Sequence, residues 1–147
     1  DIHGHQVGDA VLRMVARRIC SCVRKLDYVA RIGGDEFTVL MNCTKEELYT
    51  KDRADRLLAN LTEKYDVGDL SLVVSCSIGI AQYPQDGKTP DELMRKADIA
   101  MYRSKRSGKS QCLSYGEKGH IRGIINNDTT ATTSVSGKPI RTKSTKL

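Results

Sequence analysis

Apolar residues return at three- and four-residue steps through Leu12, Val15, Ala16, Ile19 and Val23, a spacing that predicts an amphipathic helix over about 5–24. Arg13, Arg17, Arg18 and Arg24 fall mostly on its other side and read as a solvated helix face. Two short apolar runs follow, 28–32 and 37–41, and the glycines and acids between them predict a β-hairpin. Thr44-Lys45-Glu46-Glu47 has capping-box spacing and opens a second helix, with Ala54, Leu57, Leu58, Leu61 and Tyr65 as its apolar stripe. Asp66 to Asp69, with Gly68 inside, then makes a turn. Over 70–83 the period changes to two. Leu72, Val74, Cys76, Ile78 and Ile80 share the core face of a long strand. Val73, Ser75, Ser77, Gly79 and Ala81 share the other, where small residues let a helix or another backbone come close. Thr89-Pro90-Asp91-Glu92 starts a third helix with Leu93, Met94, Ala97, Ala100 and Met101 buried, and Gly108 suits its C-terminal cap. A last short strand is expected over 111–115.

Helix, hairpin, helix, strand, helix, strand is the order of an α+β domain with a mainly antiparallel sheet. After Gly116 the texture turns to Thr, Ser, Gly, Asn and Lys with scattered apolar residues. A folded domain over 1–115 and a disordered tail or linker over 116–147 are therefore expected.

The chemistry sits between the two hairpin strands. Gly33 and Gly34 permit positive φ and leave no side chain between the backbone and a ligand. Asp35 and Glu36 place two carboxylates on the turn, where Mg²⁺ or Mn²⁺ could be held against a phosphate. Ordinary turns are also built from Gly and Asp, so the turn alone leaves both readings open. The run Gly33-Gly34-Asp35-Glu36-Phe37 resembles the signature of the GGDEF family, the diguanylate cyclases, and stands unaltered. The resemblance continues through Gly4-His5 and Gly8-Asp9 upstream, and through Ser77-Ile78-Gly79, Ala97-Asp98 and Tyr102 downstream.

What this resemblance implies is specific. The fold is expected to be the ferredoxin-like palm of nucleotide cyclases and polymerases, with a first strand and short helix preceding Asp1. Without that strand the sheet is expected to expose a pair of edges and to dissolve poorly. The implied reaction condenses two GTP into cyclic di-GMP and two pyrophosphates, between two copies of the domain and with a divalent metal. Asp35 and Glu36 match the metal-binding and catalytic acids, and Gly33 and Gly34 the phosphate-binding turn. Asp9 matches a guanine contact. Lys105 and Lys109 match basic residues that hold the terminal phosphates, although Lys109 stands where the family usually has Arg. Arg24 and Asp27 match an Arg-x-x-Asp inhibitory site for cyclic di-GMP, joined by Arg56. A second metal-binding Asp and a guanine-binding Asn are expected before Asp1, so the chain by itself is expected to be inactive.

Composition changes this picture little. The net charge is +6, yet from Gly116 onward six Lys or Arg stand against two acids, so the basic balance belongs mostly to the tail. No aromatic interleaving accompanies it, and no specific nucleic-acid partner is expected. Five cysteines lack metal-ligand spacing and read as free thiols in a reducing cytoplasm, with any membrane anchor lying upstream. His3 and His5 lack the further ligands of a transition-metal site. The competing class is a receptor module that binds GTP or cyclic di-GMP without turnover.

Overall fold

The computed structural model describes residues 2–43, 50–108 and 110–116, and the backbone of 129–140. Helix α1 (Ile2–Cys22) leads into a hairpin of β1 (Tyr28–Gly33) and β2 (Glu36–Cys43). Helix α2 (Thr50–Leu61), β3 (Tyr65–Val67), β4 (Leu70–Gln82), α3 (Pro90–Arg106), β5 (Gln111–Ser114) and β6 (Thr129–Ile140) complete the described elements. The sheet runs β1-β2-β6-β4, with β3 and β5 on the far edge of β4. All its pairings are antiparallel except β4 with β5. This is the α+β, mainly antiparallel arrangement expected from the order of elements, in the palm-like form the resemblance implies.

One face of the sheet carries the main core. Phe37, Val39, Met41 and Cys43 from β2 and Val74, Cys76, Ile78 and Ile80 from β4 are buried against Val11, Val15 and Ile19 of α1 and Ala54, Leu57 and Leu61 of α2. The period-two reading of β4 therefore gives the right face. The other face takes α3. Gly79 lies so close that a Cβ there would strike the Ala97 carbonyl oxygen and the Met101 amide nitrogen. The small-residue face of β4 is thus the seat of a helix. Helix α3 begins as its sequence says: Thr89 is the N-cap, and its side chain and that of Glu92 exchange bonds with each other's backbone. The same bonds from the Lys88 and Thr89 amides hold the Glu92 carboxyl below its usual range.

Several expectations are corrected. Helix α1 starts at Ile2 rather than near residue 5, so Asp9 lies about two turns inside it. Arg18 is not on a purely solvated face: its guanidinium donates to the carbonyls of Asn60 in the last turn of α2 and of Glu63 and Lys64 just after it, and stacks 3.8 Å from the Tyr65 ring centre. The turn around Gly68 belongs to a tight hairpin, because 65–67 forms the short strand β3. The proposed capping box at Thr44 to Glu47 lies outside the described residues.

The largest correction concerns the tail. Residues 129–140, expected to be disordered, form β6 and sit between β2 and β4 with eight registered pairs on one side and ten on the other. The segment has few apolar side chains, but its run of β-branched Thr and Val suits a pleated strand. The two flanking edges offer rows of backbone N–H and C=O groups that need partners. Those edges are consequently covered, which removes the stated reason for poor solubility. The rest of the expected tail, 117–128 and 141–147, lies outside the described residues.

Candidate active site at the signature hairpin

The hairpin tip follows from its residues. Register slips between Arg31 and Gly33, a local bulge, and Gly34 takes φ +42°, a conformation that favours glycine. The Arg31 guanidinium donates to the Gly34 carbonyl at 3.0 and 2.6 Å, tying the turn across its mouth. Phe37 is buried at 3% exposure and anchors the start of β2 in the core. Gly33, Gly34 and Glu36 are left exposed and Asp35 half-buried beyond that anchor. Two hard oxygen donors thus sit at the surface on a turn fixed from behind, with open space around both glycines.

Backbone pairing places a row of residues beside this tip. Gly33 pairs with Glu36, Glu36 with Ser136 of β6, Ser136 with Ser77 of β4, and Ser77 with Gln111 of β5. Lys105 lies in the last turn of α3 and is half-buried. Ser104, near the end of α3, donates to the Gln111 carbonyl at 2.7 Å, and Gln111 pairs with Ser77, which sets the end of α3 beside the middle of β4. Burial pushes the Cys76 thiol up to about 12, and the Lys105 ammonium opposes that rise. Asp9 is exposed on α1, and Lys109 lies outside the described residues.

The other group of candidates lies at the opposite end of the hairpin, roughly 20 Å away along β1. Arg24 and Arg56 are exposed, whereas the Asp27 side chain is 1% exposed. Asp27 accepts from the Arg24 amide at 2.7 Å, the Asn42 amide at 2.9 Å and the Arg53 guanidinium. Burial raises the Asp27 pKa, and these donors outweigh it, so the carboxyl stays below its ordinary value. Arg53, which sequence reasoning missed, is the α2 residue that meets Asp27. Arg31 was missed as well. Each is one arginine among many, and only the fold shows which arginine a given acid or carbonyl faces.

The donor set fits a divalent cation in one way. Among the described residues no three His, Cys, Asp or Glu converge as a closed cage. Mg²⁺ is commonly held by one or two carboxylates together with phosphate oxygens and water, and Asp35 with Glu36 supplies that number.

The model for "Diguanylate cyclase, GGDEF domain" matches residues 1–111. The bifunctional diguanylate cyclase/cyclic di-GMP phosphodiesterase MucR of Pseudomonas aeruginosa is 42% identical over 110 residues, 75% of this chain and 16% of that protein. The diguanylate cyclase TpbB of the same species is 41% identical over 107 residues, 72% of this chain and 25% of its own length. The chain therefore spans a quarter or less of these two relatives. Among solved structures, the GGDEF domain of TpbB superposes with a TM-score of 0.72 at 38% identity, covering 76% of this chain and 70% of that one. With the signature on its hairpin and this likeness in sequence and fold, the chain belongs to the GGDEF family of diguanylate cyclase domains.

Proposed function

We propose that this domain, within a longer protein, condenses two GTP molecules into cyclic di-GMP. The observation that carries the reading is the intact Gly-Gly-Asp-Glu-Phe run, with Phe37 sunk in the core and its two acids left at the surface. Each GTP 3′-oxygen attacks the α-phosphorus of the other, a new phosphodiester forms at each, and pyrophosphate leaves each. A divalent ion, when bound, neutralises triphosphate charge and eases loss of the 3′-proton. Asp35 and Glu36 hold it, Gly33 and Gly34 let the phosphates approach the backbone, and Lys105 and Lys109 balance the terminal phosphates. Asp9 reads guanine. One copy presents a single hairpin, so the reaction needs two copies facing each other. Product feeds back at the far end of the hairpin, where Arg24 and Arg56 meet cyclic di-GMP and Asp27 fixes the turn between them.

The isolated chain is inactive on this reading, because it lacks the second metal-binding Asp and the guanine-binding Asn that the resemblance implies. The same lack favours a second reading, a module that binds nucleotide without turnover. Incubation of the longer protein with GTP and Mg²⁺, followed by chromatography of the products, separates the two. Cyclic di-GMP should form, should fall at least 100-fold with Asp35→Asn or Glu36→Gln, and should be absent with this chain alone. A folded, dimeric longer protein that binds GTP but yields no cyclic dinucleotide establishes the binding module instead.

A further inference from the structure

The turn that carries the two acids has two available shapes, and one peptide decides between them. Gly33 pairs with Glu36, so Gly34 and Asp35 are its central residues. Two-residue hairpin turns are mostly of type I′ or II′. Type I′ needs positive φ at both central residues, type II′ only at the first. Gly34 has φ +42°, and among the described non-glycine residues only Ser110 is positive, so Asp35 is not. The turn has the sign pattern of type II′. The two types differ in ψ before the 34–35 peptide and in φ after it, so turning that peptide over converts one into the other.

Arg31 holds the peptide in question. Its Nε and Nη2 donate to the Gly34 carbonyl at 3.0 and 2.6 Å. Arg31 pairs directly with Phe37, so its side chain leaves β1 on the core side of the hairpin, whereas Glu36 lies on the opposite, exposed side. A flip would break both bonds and swing Asp35 to positive φ, which redirects its Cα–Cβ bond and the carboxylate beyond it. Asp accepts that conformation more readily than most residues, and glycine before it accepts either. The two turn residues leave the choice open, and the arginine makes it.

We propose that Arg31 is a positioning residue for the candidate metal site. By fixing the 34–35 peptide it keeps the Asp35 carboxylate in one relation to that of Glu36, as joint capture of a divalent ion requires. This rests on the reading of Asp35 and Glu36 as metal-binding. The two effects of Arg31 on a cation have opposite signs. Its charge repels the ion, so losing charge alone would tighten binding, whereas losing the bonds to Gly34 weakens it. Apparent affinity scales with the fraction of molecules in the competent turn, so a fall to about one-fifth weakens binding about fivefold.

The test titrates the whole chain with Mn²⁺ alone and reads free ion by its electron paramagnetic resonance signal. In metal-free samples, the Overhauser effect between the amide proton and Hα of Asp35 reports the turn, being weak at negative φ and strong at positive φ. Arg31→Ala should weaken Mn²⁺ binding about fivefold and strengthen that effect, with Arg31→Lys between it and the wild type. If Arg31→Ala binds Mn²⁺ as well as the wild type or better while Asp35→Asn weakens binding, the acids hold metal and the positioning role is refuted. Weaker binding by Arg31→Ala with an unchanged Overhauser effect refutes it too, since the turn has not moved. If neither Asp35→Asn nor Glu36→Gln weakens binding, or the wild type takes up no Mn²⁺, the reading of the acids falls and this proposal with it. Should Arg31→Ala melt early, Arg31→Lys decides by the same two measurements, and wild-type values in both overturn the proposal.

Discussion

Asp27 shows how far one residue departs from its sequence reading. Arg-x-x-Asp is a trivial pattern, and its resemblance suggested a ligand-gripping pair, yet the acid is enclosed by the Arg24 and Asn42 amides and the Arg53 guanidinium. It joins the end of α1, the strand β2 and helix α2. Asp27→Asn keeps the shape but loses charge-assisted bonds, and should lower stability by about 1–3 kcal/mol in chemical denaturation at neutral pH. The folded-state pKa is below the ordinary value, so this contribution is present above the unfolded pKa of about 3.9 and disappears as pH falls through the folded one. Wild type and Asp27→Asn should therefore converge in stability as the pH is lowered below about 4. A constant gap across that range would show that the carboxylate charge is not what matters.

At the scale of elements, legibility followed the strength of the local pattern. Helix α3 was readable end to end because Thr89, Pro90 and Glu92 form a complete start signal. The seat of α3 was readable too, since Ser75, Ser77, Gly79 and Ala81 leave room for it. Gly79→Ala puts a Cβ against two backbone atoms that cannot swing aside, and should cost about 3 kcal/mol in a urea melt. A loss under about 1 kcal/mol would mean that α3 slides freely. Strand β3 was missed because three residues give no period, and β6 because strands were sought as apolar runs. Only the unpaired edges of β2 and β4, a property of the assembled sheet, call a Thr-rich segment into strand form.

For the whole molecule, three thiols act as reporters of one core. Cys43, Cys76 and Cys112 are buried in the same cluster, while Cys20 is exposed on α1. Burial holds Cys76 as a neutral thiol, pushed up to about 12, and the thiolate is the reactive form. With a thiol reagent at pH 8, Cys20 should modify first and the three core cysteines together, only as denaturant unfolds the domain; peptide mass spectrometry gives the order. Early loss of Cys76 alone would indicate that the sheet opens around β4 without global unfolding. The overall architecture was largely visible from the order of elements and from the resemblance. The arrangement around the acids was only partly visible, because the residues beside Glu36 come from a segment about 100 positions later in the chain.

That segment, the last of the described elements to leave a ribosome, takes an interior place in the sheet. A growing chain can assemble α1, the hairpin and α2 as it emerges, but β2 and β4 cannot be bridged until translation has passed residue 140. Where no upstream strand takes that interior place, nascent domains should carry two unsatisfied ladders for the time it takes to synthesise roughly 60 residues, several seconds at common elongation rates. During that interval chaperones, or the strands of neighbouring nascent chains, have their best opportunity to bind.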